Sequence, residues 1–111
     1  MTGIGGCRSS GAFTADAVLF TGAGKLISIT GMSFVTTGPT VDNTAFMVLH
    51  DCLTAGAASA ANTIGVLYVG TTAKGSNFVE ADMHGVKFKN GIFAEVTHVA
   101  GTSTKFLVTF N

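Results

Sequence analysis

Charge, tryptophan and proline are what this chain has least of. Only 11% of its 111 residues are Asp, Glu, Lys or Arg, where soluble domains carry roughly 25%. Six Lys plus Arg balance six Asp plus Glu, so no surplus of positive charge exists to hold a polyanion, and no nucleic acid is expected as a partner. A surface so poor in charge disperses badly on its own, and much of it is expected to be covered by neighbours. The absence of Trp and the single Tyr argue against a stacking platform for sugars or single strands. Cys7 and Cys52 stand far apart with no Cys-x-x-Cys. Neither a disulfide scaffold nor a structural zinc is implied, and two separate thiols in a reducing cytoplasm are expected, with a Cys7–Cys52 bridge as the alternative. The longest uncharged stretch, 52–73, is interrupted by Gly56, Asn62, Gly65 and Gly70 and is no membrane helix, so no membrane partner is expected. The first residues lack a basic segment followed by an apolar one, and no secretory signal is expected there.

What the chain has in quantity is glycine, 15 residues of it, and threonine, punctuating short apolar runs that alternate with period two. This is the pattern of half-buried strands. Candidate strands are Gly11 to Phe20, Lys25 to Thr36, Thr44 to Asp51, Gly65 to Thr71, Phe78 to Met83, Val86 to Lys89, Ile92 to Val99 and Thr104 to Phe110. Turn residues separate them: Gly22-Ala23-Gly24, Gly38-Pro39, Asp42-Asn43, Lys74-Gly75-Ser76, Asn90-Gly91 and Ala100-Gly101. Asn90-Gly91, flanked by alternating runs, predicts a tight type I′ hairpin. The small-residue segment 53–63 reads as a surface loop, because it has no large apolar residue to anchor a helix face. The expectation is an all-β, single-domain antiparallel β-sandwich or jelly roll of about eight strands, residues 11–111, preceded by a flexible arm, residues 1–10.

Alternation also assigns faces. Phe106, Val108 and Phe110 oppose Lys105, Leu107 and Thr109. In the strand around Phe46 both sets are apolar, Phe46, Val48 and His50 against Met47, Leu49 and Asp51, which predicts a strand central to its sheet or pressed on a second subunit. Adjacent Ile92 and Phe93 cannot both face one core. From these patterns Phe13, Met47, Leu49, Phe93 and Leu107 are interface candidates, with Ile4 and Arg8 acting from the arm as a clasp.

Nothing in the pattern carries catalysis. His50, Asp51, Asp82 and His84 are too scattered for a metal site. Ser9, Ser10 and Cys52 lack a nucleophile context, and the glycine pairs near Gly5 and Gly24 open no phosphate-binding helix. No enzyme, cofactor or metal is expected.

The C-terminal third, Val86-Lys87-Phe88-Lys89-Asn90-Gly91-Ile92-Phe93-Ala94-Glu95-Val96-Thr97, then a Gly-Thr turn and Lys105-Phe106-Leu107-Val108-Thr109-Phe110, resembles small β-sandwich virion proteins of tailed bacteriophages. Ser10-Gly11-Ala12-Phe13, Gly24 to Thr30 and Ala45 to Asp51 resemble their opening strands. The resemblance spans nearly the whole chain at the level of pattern. It implies a structural role on the virion: a capsid decoration or cement protein, commonly trimeric, bound to the major capsid protein or other virion proteins and assembled in the host bacterial cytoplasm. A tail or neck component, or a host-adhesion or carbohydrate-binding module, is the alternative.

Overall fold

A computed structural model describes residues 7–35, 43–70 and 75–111. The expected all-β sandwich is what the chain forms. Eight strands follow one another: β1 (Arg8–Ser9), β2 (Ala17–Thr21), β3 (Gly24–Val35), β4 (Ala45–His50), β5 (Thr63–Val69), β6 (Gly75–Phe88), β7 (Gly91–His98) and β8 (Lys105–Phe110). They make two four-stranded antiparallel sheets, ordered β1-β8-β3-β6 and β2-β7-β4-β5. Pairing is nested: β1 lies on β8, β2 on β7, β3 on β6 and β4 on β5. Contacts of β3 with β8 and of β4 with β7 complete the sheets. An antiparallel ribbon whose ends meet and which folds over itself in this way is a jelly roll.

Period-two alternation, with one register shift between Leu26 and Ser28, puts Leu26, Ile29, Phe88, Phe106, Val108 and Phe110 on the inner face of one sheet and Ala45, Met47, Leu49, Leu67, Val69, Ile92 and Ala94 on that of the other, all buried in one core cluster. Each large side chain so removed from water contributes about 1.5–3 kcal/mol. Gly31, in the middle of β3, sets how near the sheets come: a Cβ there would run into Val69, Leu67 and Phe106. Phe20 closes one end, its ring 4.9 Å from that of Phe110 and 6.0 Å from that of Phe88.

Several local expectations change. The segment Gly11 to Phe20 is two pieces: Phe13 bridges to Phe106 of β8, and the chain then crosses to the other sheet as β2. The crossing is pinned by Asp16 Oδ1, which accepts the Val96 N–H at 2.8 Å, and by Thr14 O, which accepts from His98 Nε2 at 2.7 Å. Phe78 to Met83 and Val86 to Lys89 are one 14-residue strand, bent by a bulge where His84 and Gly85 have φ of 53° and 74°. Asn90-Gly91 does not close a hairpin, because β6 and β7 belong to different sheets. Only Gly91 of the pair has positive φ, so this is no type I′ turn. Of the arm, residues 8–10 are part of the fold, Arg8 and Ser9 pairing with Phe110 and Thr109 and the Ser10 N–H donating to Val108 O at 2.9 Å. Ile4 and the turn at Gly38-Pro39 lie outside the described residues, as do Asp42 and Lys74 from two other turns.

Candidate interaction surface

The fold is a slab of 47 × 35 × 18 Å, so its two outer sheet faces make up much of its surface. On the β2-β7-β4-β5 sheet the residues alternating with the core set are Val18 on β2, Phe93, Glu95 and Thr97 on β7, Phe46, Val48 and His50 on β4, and Val66 and Tyr68 on β5. The register sets them in rows across the sheet: Thr97, Phe46 and Tyr68, then Glu95, Val48 and Val66. Val18, Val66 and Tyr68 are 47%, 56% and 62% exposed. Glu95 is the one formally charged residue among these positions. A strand face that meets water is ordinarily polar; this one is apolar over β4 and β5, where Phe46, Val48, Val66 and Tyr68 adjoin, the mark of a surface built to be covered.

One end of the face is already roofed. The loop after β4 folds back as two single 3-10 turns, Ala55–Ala57 and Ala60–Asn62, and His50 holds it. Asn62 is fixed by accepting the Ser59 N–H on Oδ1 at 3.0 Å and donating from Nδ2 to Ala57 O at 2.8 Å. His50 Nδ1 therefore faces two acceptors, Asn62 Oδ1 at 3.0 Å and Ser59 O at 3.1 Å, and donates. Its Nε2 meets Glu95 Oε1 at 2.7 Å. His50 is 4% exposed, and Phe93 and Cys52 are buried at this end outside the main core cluster. Next along the chain, Asp51 ties the roof to the crossing between sheets: its carboxylate accepts the N–H groups of Lys89, Asn90 and Gly91 at 2.9, 2.7 and 3.3 Å. Burial pushes the Asp51 carboxyl up. The three backbone donors and the Lys89 charge outweigh it and hold the carboxyl below its ordinary value.

The expected interface residues separate accordingly. Met47 and Leu49 are fully buried between the sheets and belong to the core; the outward set of β4 is Phe46, Val48 and His50. Phe93 faces away from the core, as alternation requires, but is 6% exposed and takes no part in an open surface. Phe13 packs its ring 6.4 Å from Phe106, half-buried against the core. Arg8 is exposed with its guanidinium 5.4 Å from the Phe20 ring centroid, an internal cation–π contact. Leu107 does point outward, on the other sheet, where it shares a groove with Met32 and Phe78. Val18, Phe46, Val48, Val66 and Tyr68 were not among the candidates. For Phe46, Val48, Val66 and Tyr68 the signal is two-sided apolar alternation, in β4 and in Ile64 to Val69; Val18 stands in the apolar run Ala17 to Phe20.

Both cysteines are free thiols, Cys7 exposed and Cys52 buried. Among the described residues no three His, Cys, Asp or Glu side chains gather as a metal ion would need, and no helix is long and apolar enough to cross a membrane. Comparison with protein-family models, with curated proteins and with solved structures found no match to this chain.

Proposed function

We propose that this protein is a structural component of a tailed-bacteriophage virion, a decoration or cement protein that self-associates and binds the outside of the head, stabilising the lattice of the major capsid protein. The observation that carries this reading is the apolar outer face of the β2-β7-β4-β5 sheet, with Val18, Val66 and Tyr68 open to water in a chain that is 11% charged. Jelly rolls build viral shells and lectins alike, so the fold by itself does not choose between them. The strand resemblance supports the virion, and the open apolar face supports a protein partner. On this reading the chain is not an enzyme, needs no cofactor and contacts neither nucleic acid nor membrane.

Co-sedimentation with head shells that lack the protein is the test. The native chain is expected to pellet with the shells. A Val66→Asp, Tyr68→Asp chain is expected to stay in solution with its unfolding temperature nearly unchanged, because both side chains lie outside the core. A native chain that ignores the shells overturns the proposal. A glycan-binding module is the competing reading, favoured by the exposure of the lone tyrosine; specific hits on a glycan array lost with Tyr68→Ala would put it first.

A further inference from the structure

The outer face of the other sheet, β1-β8-β3-β6, has a different character: its charges are sorted. Lys25, Lys87 and Lys89 line a 520 Å³ cavity at one end. Glu80 and Asp82 line the next, 390 Å³ in volume, with Ile27 and Ser28. Met32, Phe78 and Leu107 lie beyond them around a third. Lys25 and Lys87 stand directly opposite each other across β3 and β6. Like charges so placed are destabilising. Lys89 already has the Asp51 carboxylate near it, but among the described residues no Asp or Glu lines the cavity beside Lys25 and Lys87, and that pair is where a counter-charge is needed.

Asp82 and Lys87 are an odd number of residues apart, so on a regular strand they would point to opposite faces. The bulge at Met83 to Gly85, opposite the single residue Ile27, takes up the difference in phase. Ala81 packs on the core from one side of the bulge and Phe88 is buried beyond it. Glu80, Asp82, Lys87 and Lys89 therefore all face outward. Read along β6 and on to Lys89, the first residue after it, they run acid, acid, bulge, lysine, lysine. This pattern is its own complement under a two-fold axis across the strand at His84 and Gly85.

We propose that a second copy of this chain docks face to face on this sheet about that axis, placing Lys87 of each copy over Asp82 of the other and Lys89 over Glu80. Edge-to-edge pairing of two β6 strands would use the same charge register. The bulge, with its two positive-φ residues, breaks the row of backbone donors and acceptors at the axis and disfavours it. A face that meets itself closes after two copies, so this contact is two-fold where the resemblance to virion proteins implied three. Exposed ion pairs fix orientation and rate more than affinity, which makes the dimer weak and salt-sensitive. The contact leaves the apolar face of the opposite sheet free.

The experiment is sedimentation velocity of the full chain across salt. Between about 0.01 M and about 1 M the screening length falls from roughly 30 Å to roughly 3 Å, and self-association is expected to weaken roughly tenfold or more. A Lys87→Glu, Lys89→Glu chain and a Glu80→Lys, Asp82→Lys chain are each expected to be monomeric at a concentration where the native chain is mostly dimeric. Mixed in equal amounts, the two are expected to recover a dimer of one copy of each, which also shows that both are folded. A native chain that is monomeric at low salt, a mass indifferent to salt, or a mixture that stays monomeric overturns the proposal. Shell binding is read separately: a chain that dimerises but ignores shells removes the capsid reading and leaves this one standing.

Discussion

Asp51 does at one residue what no neighbouring side chain does, gathering three consecutive backbone N–H groups at the place where the chain leaves one sheet for the other. Gly91 belongs to the same corner: it has positive φ, and a Cβ there would strike Phe20 O and the Leu53 side chain. With the folded carboxyl ionising below its unfolded value, its charge favours folding at neutral pH. That contribution is lost as pH falls through the ordinary carboxylate range, about 4, and on below the folded value. Asp51→Asn keeps one acceptor oxygen and loses the charge, leaving backbone donors poorly paired. The variant is expected to unfold about 1–3 kcal/mol more easily at pH 7, and the gap between the two chains should narrow steadily below about pH 4. Urea unfolding at matched pH values measures both curves; a gap that stays constant down to pH 2 would show that the carboxylate's charge plays no part.

The loop on residues 53–62 is held at its far end by the His50 imidazole and by the Asp51 N–H, which donates to Asn62 O at 2.8 Å. His50→Ala removes both the Nδ1 donor and the partner of Glu95. Limited proteolysis is expected to cut within 53–62 in the variant and to spare the native loop, while β4 and β5 stay protected from hydrogen exchange. An uncut variant would mean that the 3-10 turns hold the loop unaided. The same element shows what the chain's chemistry could reveal in advance. The existence of strands and a surface loop at 53–63 were legible, because period two and turn residues are local signals. The parity of β4 was not: with apolar residues on both sides, alternation does not say whether Met47 and Leu49 or Phe46 and Val48 face the core. A register shift between Leu49 and His50 ends the regular alternation just before Asp51 turns to cap the crossing. The partners of β6 and β7 were equally hidden. Asn90-Gly91 marks a turn in either case, and whether the flanking strands pair or part is decided by the far sides of the sheets. His84 gave no sign of a bulge, since a non-glycine residue with positive φ is set by its surroundings.

At the scale of the whole molecule the nested pairing joins residues far apart in the chain, up to Arg8 with Phe110, and little of the fold can form from local contacts. Domains dominated by such pairings fold in milliseconds to seconds, because loop-closure entropy is spent before contacts repay it. The β4–β5 pair is the exception: its strands are separated only by the roofed loop, and Met47 faces Leu67 directly across it. Structure that starts there can spread outward through β3 and β6, then β2 and β7, with β1 and β8 closing last. Leu67→Ala and Phe110→Ala each remove a buried side chain and should each cost about 2–5 kcal/mol at equilibrium. Their kinetics should differ. Leu67→Ala is expected to slow refolding, with more than half of its effect on that limb, whereas Phe110→Ala should leave refolding nearly unchanged and accelerate unfolding. Stopped-flow refolding and unfolding across denaturant separates the two, and the opposite partition would place the nucleus at the joined ends of the chain. A late-closing β1–β8 pair also means that the most easily opened part of the jelly roll is the edge of the charged sheet, so a second copy docked on that face would slow unfolding and leave refolding from dilute solution unaltered.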